Sequence, residues 1–258
     1  GNGYTGIADN ATWNFTSEDI APPTATDFSP ADGTVDVGVD IDLVVTFSEP
    51  VVVGSGDIRI RQTLGDAVFE TISVTDGARV SGSGTNTITI NPAGTLLGQT
   101  GYYVQIDATG FDDLSGNGYA GISSKTTWNF TTADVDAPVV IGYDPTDDAT
   151  GVDVNTTLIM TFSEPVTAQT GSIRIRRSSD DALFETIPVG SVSGSGTAVI
   201  TIDPVAPLMG ETGYYLDIDA TAFDDLAGNS YAGIANKTIW NFITEDITPP
   251  MVNMRDPA

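Results

Sequence analysis

The chain has 258 residues, of which 35 are acidic and 9 are basic, so its formal net charge at pH 7 is -26. A polyanion of this kind repels phosphate backbones and anionic lipid surfaces, which excludes nucleic acid and acidic membranes as partners. The absence of cysteine and histidine from the sequence excludes thiol catalysis, disulfides, zinc sites of the usual type and the most common general base.

Short alternating runs that are typical of β-strands follow one another along the chain, without helical periodicity. In the first half they lie at 42–47 (DLVVTF), 57–62 (DIRIRQ), 67–72 (AVFETI), 86–91 (NTITIN), 101–107 (GYYVQID) and 126–132 (TTWNFTT). Turn signals such as SPADG and SGSGT separate them. This pattern predicts an all-β chain of immunoglobulin-like Greek-key β-sandwiches. The stretches 92–97 and 204–209 are also compatible with a short helical turn.

The same text recurs along the chain at the spacing of a whole small domain. The stretch FDDLSGNGYAGISSKTTWNF from Phe111 returns as FDDLAGNSYAGIANKTIWNF from Phe223, and its later part opens the chain. The equivalent residues Trp13, Trp128 and Trp240 set the period at 115 and then 112 residues, far longer than a solenoid or propeller unit. We predict the tail of a preceding repeat at 1–20, complete repeats at 21–135 and 136–247, and the start of a following repeat at 248–258.

Four motifs carry a resemblance to a known family. They are the Pro-x-Asp-Gly opening at Pro30, TFSEP at Thr46, DLSGN at Asp113 and the closing WNFTT at Trp128. The chain resembles the bacterial Ig-like domain of surface-layer and large secreted repeat proteins, although the second repeat departs from the pattern at its opening (DPTDDATG). The resemblance implies a role as a spacer, an adhesin stalk or an enzyme accessory module.

The tryptophans of the WNF motif are expected in the core. In a strand, residues at i and i+2 face the same side, so the Trp and Phe of each copy share one face, which we assign to packing.

Carboxylates are predicted to converge at one pole of each sandwich. In an immunoglobulin-type fold the chain enters at the pole where the second strand ends and where the loop before the last strand lies. FSEP would end the second strand, so Glu49 would meet Asp112, Asp113 and Asp19. The same argument for the second repeat predicts a cluster of five carboxylates: Asp134, Asp136, Glu164, Asp224 and Asp225.

Calcium is the cofactor that such clusters predict. Converging carboxylates without a nearby Lys or Arg repel one another, and a hard cation with 6–8 oxygen ligands removes the repulsion. The adjacent pairs Asp112-Asp113 and Asp224-Asp225 have two alternative interpretations. A polar turn needs no ion, while glycosidase chemistry needs two carboxyl groups facing across a substrate at about 5–10 Å. We expect no catalysis.

Five of the nine basic residues lie on equivalent predicted strands: Arg59, Arg61, Arg174, Arg176 and Arg177. They are expected to form a solvent-facing ladder that pairs with acidic neighbours and protects an edge strand. Binding of an anionic glycan is the alternative.

The sequence therefore predicts a non-catalytic, extracellular stalk or filament segment of a bacterial surface or adhesin-like protein. Tandem sandwiches would form a rod that calcium and Pro23, Pro138 and Pro250 stiffen at the junctions. The expected partners are neighbouring repeats of the same long chain, with self-association into filaments or a surface layer. No run of 18 apolar residues occurs, so no membrane insertion is expected in this segment. A glycan-binding module and an accessory part of an exported hydrolase remain as alternatives.

Overall fold

Strands make up the regular structure of the computed structural model, which describes residues 1–251. One turn of 3-10 helix at Val189–Ser191 is the only helical element within that range, and it is far too short to cross a membrane. Contacts divide the chain into a first unit, Gly1–Asp134, and a second unit that begins at Val135. The predicted all-β class is confirmed.

Two sheets form the first unit. Its ten strands are β1 (Ala25–Ser29), β2 (Thr34–Val37), β3 (Leu43–Val53), β4 (Asp57–Gln62), β5 (Val68–Ser73), β6 (Val80–Ser81), β7 (Thr85–Ile90), β8 (Gly101–Ile106), β9 (Phe111–Asp113) and β10 (Asn129–Thr132). One sheet has the order β1-β3-β7-β6, with β9 also paired to β3, and the other has the order β2-β10-β8-β4-β5. Strand β2 is parallel to β10, whereas the other pairings in this unit are antiparallel.

The second unit repeats this topology, except that no strand among its described residues corresponds to β6. The strands that its described residues form are β11 (Val140–Asp144), β12 (Ala149–Val152), β13 (Leu158–Ala168), β14 (Ser172–Arg177), β15 (Leu183–Pro188), β16 (Thr197–Ile202), β17 (Gly213–Ile218), β18 (Phe223–Asp225) and β19 (Asn241–Thr244). The sheets are β11-β13-β16, with β18 on β13, and β12-β19-β17-β14-β15. The immunoglobulin-like sandwich is therefore present in two copies.

Each unit has its own apolar core between its two sheets. Alternation along β3 buries Leu43, Val45 and Phe47 on one face. Trp128 and Trp240 are fully buried, as the WNF motif predicts. Trp13 is instead 77% exposed, because residues 1–20 join no sheet among the described residues.

Two local expectations are wrong. The stretches 92–97 and 204–209 contain no helical turn, since their backbone donors bond to partners outside the stretch. Leu96 N donates to Val39 O (2.9 Å) and Leu97 N donates to the Tyr102 hydroxyl (3.0 Å). The second strand does not end at FSEP either, because β3 continues through this motif to Val53. Most of the predicted following repeat, 252–258, lies outside the described residues.

Candidate metal centre

A bulge in β3 positions the first carboxylate. Thr46 pairs with Thr87 and Val51 pairs with Thr85, so the four residues 47–50 of β3 lie opposite one residue of β7. The extra residues bend the strand and re-aim its side chains. Glu49 lies in this bulge and is partly buried. A bulge therefore holds a carboxylate at the position where the sequence predicted the end of a strand.

A serine in the same bulge fastens the segment that leads into the first sandwich. Ser48 N donates to Thr24 O at 2.8 Å, and Thr24 N donates to Ser48 Oγ at 3.0 Å. In the second unit, Ser163 and Val139 exchange the same two bonds at 2.8 and 3.1 Å. The sequence prediction overlooked these serines, although the recurrence of TFSEP was a signal for them.

The DLSGN turn fixes the second carboxylate. Asp113 ends β9 and is only 2% exposed. Its Oδ1 accepts bonds from Ser115 N and Asn117 N, and its Oδ2 accepts one from Asn117 Nδ2, each at 2.8 Å. Gly116 supplies the left-handed φ of +91° that the turn requires. Asp113 thus organises a polar turn, while Oδ2 retains a lone pair for a further partner.

The leading segment supplies the third carboxylate. Asn117 Nδ2 also donates to the backbone oxygen of Asp19, at 3.1 Å, and holds this segment against the turn. Ligand oxygens of Asp19, Glu49 and Asp113 all lie within 4.8 Å of one another. Two oxygens bound to one calcium ion at 2.3–2.6 Å can be at most about 5.2 Å apart, so these separations suit calcium.

The second repeat offers the corresponding group of carboxylates. Glu164 and Asp225 are the counterparts of Glu49 and Asp113, and Asp134 is the residue that corresponds to Asp19 in the sequence repeat. Asp225 is 3% exposed, and its Oδ1 and Oδ2 accept bonds from Asn229 at 2.8 Å. The same local turn is thus built twice.

The three remaining predicted ligands are not part of either group: Asp112, Asp136 and Asp224. Asp112 and Asp224 precede the buried aspartates on β9 and β18, and neighbours in a strand point to opposite faces. Both are partly exposed. The two carboxylates of each adjacent pair are thereby separated.

The charges in the first group oppose one another. Burial, together with the charges of Asp19 and Asp113, raises the pKa of Glu49. Burial also acts to raise the pKa of Asp113, but the hydrogen bonds from Asn117, Ser115 and Gly116 outweigh it and lower that pKa. Among the described residues, no Lys or Arg forms an ion pair with these three carboxylates. The charges of Asp19 and Asp113 therefore repel the charge of Glu49, and no cation among the described residues offsets this repulsion.

Replacement of Glu49 by glutamine is expected to stabilise the first repeat at neutral pH in the presence of a chelator. Because the pKa of Glu49 is higher in the folded state, its protonation favours folding, and this stability is lost as pH rises through the folded-state pKa. The gain from Glu49→Gln should accordingly vanish in acid, below the unfolded-state pKa. Hydrogen exchange of the β8 amides, followed as a function of pH, measures this gain in stability. A gain that does not change with pH would contradict the repulsion.

Four of the five ladder arginines pair with acidic neighbours, and Arg61 is the exception among the described residues. Arg59 contacts Asp107 at 2.6 Å and Asp57 at 2.9 Å, and Arg174 contacts Asp219 at 2.7 Å. The prediction that these arginines protect an edge strand is wrong. Strand β4 lies between β8 and β5, and β14 lies between β17 and β15.

Comparisons with solved structures give distant likenesses. An I-band fragment of titin matches 88% of this chain and 66% of its own at 12% identity (TM-score 0.35). The N-terminal part of the bacterial S-layer protein SbsC matches 88% and 45% at 16% identity (TM-score 0.30). Fibronectin(III)-like modules of Clostridium thermocellum CbhA match 91% and 100% at 14% identity (TM-score 0.23). The chain thus spans less than two thirds of the length of each of the first two proteins.

Sequence comparisons give the firmer result. A comparison with curated proteins found no match. The model of the bacterial Ig-like domain matches residues 19–132 and again 134–244, which together cover most of the chain and coincide with the two sandwiches. The chain therefore belongs to the bacterial Ig-like domain family, of which it contains two consecutive copies.

Proposed function

We propose that the chain is a non-catalytic, extracellular structural segment of a bacterial surface or adhesin-like multi-repeat protein, and that each repeat holds a calcium ion where the chain enters its sandwich. The observation that carries the proposal is the convergence of Asp19, Glu49 and Asp113, within 4.8 Å, on a strand bulge and a buried turn. Tandem copies of one domain suit a stalk, which needs length and stiffness rather than a reactive site.

The donor set favours calcium over magnesium. All three side chains offer carboxylate oxygens, and calcium accepts 6–8 oxygen ligands in flexible geometry, completed by carbonyls and water. Magnesium demands near-ideal octahedral geometry and retains its waters. Of the three carboxylates, Asp113 is fixed by its turn, so the ion would draw Glu49 and Asp19 toward a position that is already set.

The sign of the Glu49→Gln effect tests calcium binding. With a chelator the substitution should stabilise the first repeat, because it removes a repelled charge. With calcium it should destabilise the same repeat relative to the unchanged protein, because a ligand that binds only the folded state stabilises it by RT ln(1 + [L]/Kd), and glutamine is a weaker ligand. Hydrogen exchange of β8 and β17 reads the two repeats separately.

Two matched variants control this experiment. Glu164→Gln should stabilise β17 with a chelator and destabilise it with calcium. It should leave the hydrogen exchange of β8 unchanged, because it alters the second carboxylate group alone. Asp112→Asn removes the same charge from the other face of β9 and should show no reversal. A Glu49→Gln effect that keeps one sign in both solutions would rule out the calcium site, and an equal response to magnesium would contradict the selectivity.

We also propose that the ion stiffens the junctions between repeats. The support is that Asp19 belongs to the leading segment, whereas Glu49 and Asp113 belong to the sandwich, so one ion would tie the two together. Small-angle scattering should show a longer, less variable particle with calcium than with a chelator. Identical scattering curves would contradict the mechanical role.

A further inference from the structure

A polar groove lies on the β2-β10-β8-β4-β5 sheet of the first unit, away from the carboxylate group. Its volume is about 340 Å³. It is lined by Arg61, Asp66, Tyr103, Gln105, Ser123 and Lys125. Arg61 and Lys125 are cationic and Asp66 is anionic, so the lining has an excess of positive charge in a chain whose net charge is -26.

Arg61 is incompletely satisfied in this groove. Its Nη1 donates to the backbone oxygen of Asp66 at 2.9 Å. Its Nε is buried and has no hydrogen-bond partner among the described residues, and no carboxylate in that part of the chain forms an ion pair with it. A buried donor without a partner carries a desolvation cost, which a ligand acceptor would remove once it displaced the atoms that cover Nε.

The second repeat shows which residue lies next to the equivalent arginine, Arg176. In β4 and β8, Arg59 pairs with Gln105 and Arg61 with Tyr103. The corresponding register in β14 and β17 pairs Arg174 with Asp217 and Arg176 with Tyr215, so Asp217 replaces Gln105.

The replacement changes the electrostatics of the second repeat. Oδ2 of Asp217 lies 3.6 Å from Arg176 Nε and 3.7 Å from Arg174 Nη1. The second repeat thus carries its own anion where the first has a neutral amide.

We propose that the groove of the first repeat binds the carboxylate of an acidic sugar, in the place that Asp217 takes in the second repeat. Guanidinium groups match carboxylates in shape and charge, and Arg61 would be the anchoring cation. Lys125 lies 3.5 Å from Asp66 and would add a second positive charge.

The rest of the lining favours a sugar over a small free acid. Gln105 and Ser123 both line the groove, and Gln105 Nε2 donates to Ser123 O at 2.9 Å. The side-chain carbonyl oxygen of Gln105 and the hydroxyl of Ser123 are the groups that these two residues would offer to ring hydroxyls. Tyr103 is 4% exposed and its hydroxyl bonds to Asp66, so recognition would depend on polar contacts rather than stacking. Carboxylates more than about 8 Å from the groove would act weakly on a bound anion at 0.15 M salt, because that is the Debye length.

Titration of the whole chain by NMR with digalacturonate tests the proposal. The Nε–H signal of Arg61 and the amide signals of Gln105 and Ser123 should shift and saturate. A neutral disaccharide of the same size should leave them unchanged, and acetate should act only at much higher concentration. If acetate equals digalacturonate, the sugar assignment is overturned. If no probe shifts the Arg61 signal, the site itself is overturned.

Exchanging the residue that differs between the repeats provides the matched control. Gln105→Asp places the carboxylate of the second repeat in the groove and should weaken binding by about tenfold, from like-charge repulsion and competition for Arg61. Asp217→Gln should create a new response at Arg176 Nε. Hydrogen exchange of β8 confirms that Gln105→Asp is folded, and unchanged affinity in that folded variant would contradict the proposal.

Discussion

Replacement of Trp240 by alanine is expected to destabilise the second repeat by about 3–5 kcal/mol, the range for removal of a large buried aromatic side chain. Trp240 is fully buried. It stacks on Tyr143 with ring centroids 4.7 Å apart, and its Nε1 donates to Pro145 O at 2.8 Å. The substitution leaves a cavity and also leaves that backbone oxygen without its donor, so hydrogen-exchange protection of β17 should collapse.

The other tryptophans make this a controlled comparison. Trp128→Ala should have the same effect on the first repeat, because Trp128 stacks on Phe28 at 4.7 Å and donates to Pro30 O at 2.9 Å. Trp13→Ala should change stability by less than about 0.5 kcal/mol, since that side chain is 77% exposed. The buried residues around Trp128 and Trp240 form separate clusters, so each core variant should affect one repeat. Equal effects of all three substitutions would contradict this assignment.

Replacement of Gly121 by alanine is expected to destabilise the first repeat by about 3 kcal/mol or more. Gly121 has a φ of +77°, and a Cβ there would lie 2.5 Å from Ile106 O and 2.8 Å from Ala108 N. Ile106 O accepts the hydrogen bond from Ile122 N. The added methyl group would therefore disrupt the hydrogen bonding between β8 and the loop that connects β9 to β10. Chemical unfolding of the variant measures the loss.

Gly116 provides the control for backbone strain alone. It has a φ of +91°, and a Cβ there would meet no atom within 4 Å. Gly116→Ala should therefore cost only about 1–2 kcal/mol for the left-handed conformation. The two substitutions differ in that only the one at Gly121 creates a steric clash. Equal losses of stability would show that this clash does not contribute to the effect of Gly121→Ala.

The recurring motifs each have a physical task in the fold. Asp32 of the PADG opening accepts bonds from the backbone and side-chain nitrogens of Asn129, at 2.9 and 2.7 Å. Asp147 makes the same two bonds to Asn241 at 2.9 Å, although the second repeat departs from PADG after this aspartate. FSEP forms the bulge, DLSGN forms the buried turn, and WNF supplies the core. The sequence motifs recur because each repeat needs the same bulge, the same buried turn and the same core contacts.

Much of the fold could be predicted from local patterns. The run DIRIRQ was predicted as a strand at 57–62, where β4 lies, because alternation of apolar and polar residues follows directly from strand geometry. The candidate site was predicted only in part. The sequence predicts that Glu49 and Asp113 meet Asp19, but it predicts the same of Asp112, since sequence proximity does not tell which of two neighbours faces inward.

By itself, the sequence determined the all-β class, the two repeats and the burial of Trp128 and Trp240, because periodicity and repetition are local properties of the chain. Only the tertiary structure decided that β3 runs on through FSEP, that Asp113 rather than Asp112 joins Glu49, and that Arg61 lacks the carboxylate given to Arg176. Each of these depends on the register between strands distant in sequence. A shift of one residue in that register would reverse the face of every side chain.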